Sequence, residues 1–260
     1  MRIVSVCPSN TEIACALGLS DELVALDDDS DFPKEVQHLP RVGKDLQIDA
    51  AKVESHAPDL VLASLSVPGM ERVVESLRAR RLPVLVLDAR GWQAILDEIR
   101  LVGERTGRTR EAREIVESMQ SRLSVVAART RGRPVVPFYF EWWPPGPRMG
   151  PIVPTRDTWV NDLAAAAGGR HVFADAPGAS MPVDPKDVFA RRFDHVFVCW
   201  CGTLQRKQSV DRVAGRAGWT ELPAVKAGRI HLLDEGVYGR PGPRVVEGAE
   251  EMGRILHPDA

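Results

Sequence analysis

The sequence predicts an α/β protein of two similar lobes with mainly parallel sheets, joined by a single long helix, with a ligand cleft between the lobes. Three observations carry this prediction. Short apolar runs alternate with amphipathic segments, a weak internal repeat relates the two halves, and one long helical pattern lies near the middle of the 260-residue chain.

The apolar runs are RIVSV (2–6), DLVLA (59–63), PVLVL (83–87), VVPFYF (135–140), HVFVCW (195–200) and RIHLL (229–233). Runs this apolar fit strands covered on both faces, as in parallel sheets. After the first run, Ser9 and Glu12 stand at capping-box spacing and Gly18 suits a C-cap, so a helix is predicted there. Segment 47–64 then aligns with segment 182–199, placing Asp49 on Asp184, Val53 on Val188, Asp59 on Asp194 and Val61 on Val196. Each copy reads as an Asp N-cap, a short helix whose Val faces the sheet, an Asp-initiated turn and a buried strand. Pro185 suits the first helical position of the second copy. VLVLDARG (84–91) and RIHLLDEG (229–236) repeat a strand that runs into Asp and then Gly.

Between the halves, Ala112, Ile115, Val116, Met119, Leu123 and Val126 recur at helical spacing over 109–129, opposite a charged face. This is one long amphipathic helix that packs along the protein. The predicted division is an N-terminal α/β lobe over 1–107, a connecting helix over 108–131 and a C-terminal α/β lobe over 132–260.

Composition removes several classes of function. With 34 Lys and Arg against 36 Asp and Glu, no net field draws the chain toward nucleic acid or an anionic membrane. No segment approaches the roughly 20 apolar residues of a membrane span. Met1 leads directly into RIVSV without the three regions of a signal peptide, so a cytoplasmic location is expected, or an extracytoplasmic one if a leader was trimmed. Cys7, Cys15, Cys199 and Cys201 make neither a disulfide framework nor a zinc motif. Phosphate-binding glycine loops, zinc-protease helices and nucleophile elbows are absent from the sequence.

Ligands of open parallel sheets gather beyond the carboxyl ends of the strands. Here those positions are CPSNTE (7–12), DDDSDFP (27–33), RVG (41–43), SLSVPGM (64–70), EWWPPGPRMG (141–150), GASMP (178–182), WCG (200–202) and DEGVYGRPGPR (234–244). They are rich in Pro, Gly, Ser and Trp and poor in paired catalytic groups. The Asp27–Asp29 run reads as a solvated turn, since it lacks the Gly and distal Glu of a calcium loop. At least one of Arg240 and Arg244 is expected to be structural. Since successive strand residues point to opposite faces, one of Trp142 and Trp143 is expected to meet a ligand while the other packs as core, with Trp142 as the outward one.

RIVSVCPSNTEIACALGL, SDFP with LPRVG, APDLVLAS, DTWVNDLAAAAGG, FDHVFVCWCG and GPRVVEGAEEMGRILHP occur in this order along nearly the whole chain. In this the chain resembles the substrate-binding proteins of cobalamin and iron-siderophore ABC importers. FEWWPP and CWCG lean toward the cobalamin-binding branch. The resemblance implies a non-enzymatic, monomeric protein that needs no cofactor or metal and holds cobalamin or a related corrinoid. It places Ser9, Asn10, Asp29, Ser30, Gly43, Ser64 and Leu65 on one side of the ligand, and Trp142, Trp143, Met181, Trp200, Cys201, Tyr238 and Arg240 on the other. It also implies a permease partner docked through one acidic residue per lobe. Glu71 suits the first such position, but Arg206 occupies the second and puts permease delivery in question. Two alternatives stay open. A heme or ferric-siderophore binder would use Arg41, Arg148 and Arg240, and a two-lobed glycosyltransferase-like enzyme would use Glu141 or Asp234.

Overall fold

In the computed structural model, which describes residues 1–146, 149–203 and 207–259, all six apolar runs become strands of two four-stranded parallel sheets. The chain forms a two-lobed α/β fold. One unit comprises Met1–Ala89, Gln93–Met119 and Pro241–Pro243, the other Arg90–Trp92, Gln120–Arg240 and Arg244–Ala260.

In the first unit the strands are β1 (Ile3–Ser5), β2 (Leu23–Leu26), β3 (Leu60–Ser64) and β4 (Val84–Leu87), in the order β2-β1-β3-β4. Its helices are α1 (Pro8–Ala16), α2 (Ala50–Ser55), α3 (Met70–Ala79) and α4 (Trp92–Thr106). Helix α5 (Thr109–Thr130) follows, and the chain passes from one unit to the other within it, between Met119 and Gln120.

The second unit carries β5 (Val136–Glu141), β6 (Ile152–Pro154), α6 (Trp159–Ala166), β7 (Gly169–His171), β8 (Ser180–Pro182), α7 (Pro185–Phe189) and β9 (His195–Val198). It continues with α8 (Val210–Ala214), α9 (Pro223–Lys226), β10 (Ile230–Leu232), α10 (Glu235–Tyr238) and α11 (Val245–Leu256). Its parallel sheet has the order β10-β9-β5-β7, and β6 and β8 form a separate antiparallel pair.

Read backwards, the second order is β7-β5-β9-β10, which superposes strand for strand on β2-β1-β3-β4. The sequence repeat is therefore a repeat of topology: β3 and β9 occupy equivalent places, as do β4 and β10. The local chemistry repeats too. Asp49 accepts the amide N–H groups of Ala51 and Lys52 at the start of α2, and Asp184 accepts that of Lys186 at the start of α7, with Pro185 at the first helical position. Val53 and Val188 are both fully buried. Their surroundings differ, however. Val53 sits in a cluster of Val, Ala, Ile and Leu, whereas Val188 packs in a cluster that includes Tyr139, Phe173, Phe193, Trp200 and Trp219.

Helix α1 departs from expectation at its start. Pro8 takes the first helical position, where its fixed φ and missing N–H suit it, so Cys7 is the N-cap and makes no side-chain cap hydrogen bond. Ser9 thus lies inside the helix, and the Ser9–Glu12 capping box is not formed. At the other end Gly18, at φ +74°, closes a Schellman motif, with Gly18 N–H bonded to Cys15 O and Leu19 N–H to Ala14 O.

Candidate functional site

Beyond the carboxyl ends of β1 and β2 the first unit builds a buried polar network. The Thr11 hydroxyl lies 2.8 Å from Ser5 Oγ and 2.7 Å from Ser30 Oγ, and Ser30 donates to Asp27 Oδ1. Asp27 Oδ2 accepts the Asp29 amide N–H at 2.9 Å, so this carboxylate shapes its own turn. Arg41 Nη1 donates to the carbonyls of Asp27 (2.7 Å) and Ser30 (2.9 Å), and Nη2 to that of Gln37 (3.2 Å). Burial, with the charge of Asp27 next, pushes the Cys7 thiol up to about 11, so it stays protonated.

Ser9 lies 3.3 Å from Cys7 Sγ and donates to Asn10 Oδ1 at 3.4 Å. Asn10 is only 1% exposed, and its Nδ2 has no partner among the described residues. A buried amide with an idle donor costs stability unless something else supplies an acceptor. Gly43, two residues after Arg41, stands at φ +117°, where an added Cβ would lie 2.5 Å from Gln47 O, so no other residue fits. Ser64, buried at the end of β3, bonds Ser66, and Leu65 beyond it is half-buried. Asp28 and Asp29 are exposed, while the half-buried Asp45 carboxyl is pushed up by burial and by the Asp29 charge. Glu71 is exposed and accepts the Gly69 N–H at 2.8 Å. Arg206, the second docking position, lies outside the described residues, as does Arg148.

In the second unit, β5 runs into the tryptophan pair. Trp142 and Trp143 both direct backbone N–H groups to Ile152 O, at 2.8 and 3.3 Å, before Pro144 ends the pairing. Two residues opposite one carbonyl make a β-bulge that interrupts strand alternation, and the burial of the pair is the reverse of the expected assignment. Trp142 is the core member, 7% exposed, with ring centroids 5.7 Å from Trp159 and 6.5 Å from Trp143. Its indole N–H has no partner among the described residues. Trp143 is the half-buried one. It pairs with Ile152, whose partner on β8 is Pro182, while Met181 pairs with Val153, and Cys201 donates its N–H to Trp142 O at 3.0 Å. Met181 and Cys201 are also half-buried.

Trp200, Tyr238 and Arg240 have a different setting. Trp200 is 1% exposed and donates its indole N–H to Glu141 Oε1 at 2.7 Å. Glu141 is itself fully buried, gripped by Arg216 through both guanidinium ends at 2.6 and 2.7 Å, and receives the Tyr139 hydroxyl at 2.9 Å. Burial, and then the Glu141 charge, hold the Tyr139 phenol well above its ordinary value. The Tyr238 hydroxyl donates within the core, 3.0 Å from Gly248 O and 2.8 Å from Glu251 Oε2, and buried Arg240 pairs with Glu235 at 3.0 Å. Asp234 caps α10 through the Gly236 N–H and stands 3.9 Å from Arg244. Glu141 is thus bound to Arg216 and Asp234 to the start of α10, and no group of three or more metal-ligating side chains occurs among the described residues. Thr11, Asp27, Arg216 and Trp159 were not nominated from sequence. Only Arg216 stands outside every stretch that drew attention there.

A family profile described as "Periplasmic binding protein" matches residues 3–236, which span both sheets. The chain belongs to this periplasmic binding protein family. Among its relatives, an uncharacterized ABC transporter substrate-binding lipoprotein, YvrC of Bacillus subtilis, is 31% identical over 99% of this chain and 80% of its own length. A vitamin B12-binding protein of Vibrio parahaemolyticus is 25% identical over 96% of this chain and 87% of its own length. Among solved structures, the periplasmic heme-binding protein RhuT of Roseiflexus, in its apo form, superposes with a TM-score of 0.85 at 24% identity, covering 99% of this chain and 98% of that one. The expected cytoplasmic location finds no support among these proteins of the periplasm and the lipoprotein surface. No helix among the described residues is long and apolar enough to cross a membrane.

Proposed function

We propose that this periplasmic binding protein holds cobalamin or a related neutral corrinoid, without turnover, and presents it outside the cytoplasmic membrane to an ABC permease. Relatives that bind vitamin B12 and others that bind heme make these the two ligand classes to weigh. The observation that favours the corrinoid is the disposition of charge. Among the described residues, Arg41 is engaged by three backbone carbonyls and Arg240 by Glu235, while the exposed side chains near the first sheet's carboxyl end include Asp28 and Asp29, with half-buried Asp45 near Asp29 and Lys44 beside it. An acidic rim repels the carboxylates of heme and of ferric siderophores, but it accepts hydrogen bonds from amide N–H groups. The idle Asn10 donor suits an amide carbonyl on the same fringe. Half-buried Trp143 offers an aromatic face to the flat ring system, and half-buried Met181 and Cys201 add apolar surface in the same unit.

Titration with cyanocobalamin and, separately, with hemin tests the reading through tryptophan quenching. Saturable quenching by cyanocobalamin, weakened in Trp143→Ala, is expected. No quenching and no thermal shift with cyanocobalamin, or tighter binding of hemin, would sink it. Glu71 is the proposed permease contact of the first unit, and Glu71→Ala is expected to reduce uptake while leaving corrinoid affinity unchanged.

A further inference from the structure

The C-terminal halves of α5 and α11 enclose a cavity of about 230 Å³ that the corrinoid reading does not use. Its apolar part includes Val126 and Val125, the latter 49% exposed despite its size. Its polar part is dominated by guanidiniums. Arg122 forks onto Glu250 at 2.8 and 2.9 Å, so that pair is matched. Arg129 and Arg254 line the same cavity with no ion-pair or hydrogen-bond partner among the described residues. Both draw the Glu250 carboxyl further below its ordinary range, after the larger effect of Arg122. The only histidine in the lining, His257, is buried and held against Gly168 O at 3.2 Å.

The charges can be summed. Three guanidiniums against one carboxylate leave +2, and two helix C-termini of roughly −0.5 each reduce this to about +1. The geometry points to a second ligand site here, for a small organic monoanion with an apolar body, such as an aromatic carboxylate. Its carboxylate meets Arg129 and Arg254, and its ring covers Val125 and Val126. The cavity is smaller than the roughly 300–1,000 Å³ of sites for drug-sized ligands, which limits the occupant to a compact molecule.

The test uses 2-naphthoate and its neutral isostere 2-naphthamide, added to the isotopically labelled full chain and followed by amide chemical shifts. Naphthoate is expected to perturb residues 121–130 and 250–258 and to bind at least about tenfold more tightly than naphthamide, a difference that one charge-assisted contact supplies. The Arg129→Ala/Arg254→Ala variant should lose that preference while its response to cyanocobalamin is unchanged, so the site stands or falls independently of the corrinoid reading. Equal binding of the two probes, shifts mapping elsewhere, or an unaltered preference in the double variant would each overturn the proposal.

Discussion

Glu141 illustrates how much one buried side chain can organise. Its two oxygens receive Arg216, Trp200 and Tyr139, so a carboxylate with no exposed surface keeps its charge matched. Removing Arg216 alone strands that charge, and Arg216→Ala is expected to lower stability by about 3–5 kcal/mol, read from the urea midpoint. Glu141→Gln combined with Arg216→Met should recover part of that loss, because both charges leave together. The tryptophan pair makes a sharper comparison. Trp142→Ala should destabilise by about 3–5 kcal/mol, whereas Trp143→Ala should leave stability nearly intact and weaken ligand quenching. At this scale the sequence singled out the stretch, but alternation does not describe the pair, because both amides share the Ile152 carbonyl in a bulge. Which member faced inward depended on Trp159, 17 residues downstream in the sequence, and no local pattern reveals that contact.

The elements were legible wherever the signal was local. Six strands followed from apolar runs, and two Asp caps followed from a repeat. The Ser9–Glu12 box was misread because Pro8 competes for the helix start, and β2, β6, β7 and β8 were not among the apolar runs because each is short and shares its stretch with turn residues. Strands β7, β9 and β10 also carry three histidines that burial keeps neutral. His171 on β7 is lowered to about 3, chiefly by burial, and accepts the Phe140 N–H through Nδ1. His195 and His231 face each other at 2.9 Å across β9 and β10, with His195 lowered by burial and His231 lowered to about 4 by burial and its neighbour.

Unfolded histidine takes a proton near pH 6.5, well above these folded values. The unfolded state therefore binds more protons in between, and stability should fall as pH drops from about 6.5 toward 4. Glu98 in the first unit, raised to about 7 by burial, acts in the opposite direction over the same range. Comparing wild type with His171→Gln therefore isolates the histidine contribution. The variant's urea midpoint should depend less steeply on pH.

The two halves read as copies from a handful of aligned positions, and the strand orders bear this out across both sheets. The ligand was less legible than the fold, because the charges that discriminate between ligand classes depend on which arginines are already engaged, and engagement is a property of the folded chain. Ligand linkage supplies the corresponding test. At a hundredfold excess over its Kd, a ligand of the folded state adds about 2.7 kcal/mol, equivalent to roughly 5–10 °C for a chain of this size. Cyanocobalamin is expected to raise the melting temperature on that scale, with hemin well below it.

The contrast between the aliphatic cluster around Val53 and the aromatic one around Val188 has a spectroscopic counterpart. Of the six tryptophans, those at positions 142, 143, 159, 200 and 219 lie within the second unit, while Trp92 stands at the boundary, opening helix α4 of the first. In a Trp92→Phe variant, emission excited at the red edge of the absorption band is therefore blind to the state of the first unit, whereas far-ultraviolet dichroism samples helices of both. A denaturation curve recorded both ways becomes a test of cooperativity. Coincident curves would mean that the halves melt together, and separated ones would time the loss of the silent half against the reporting half.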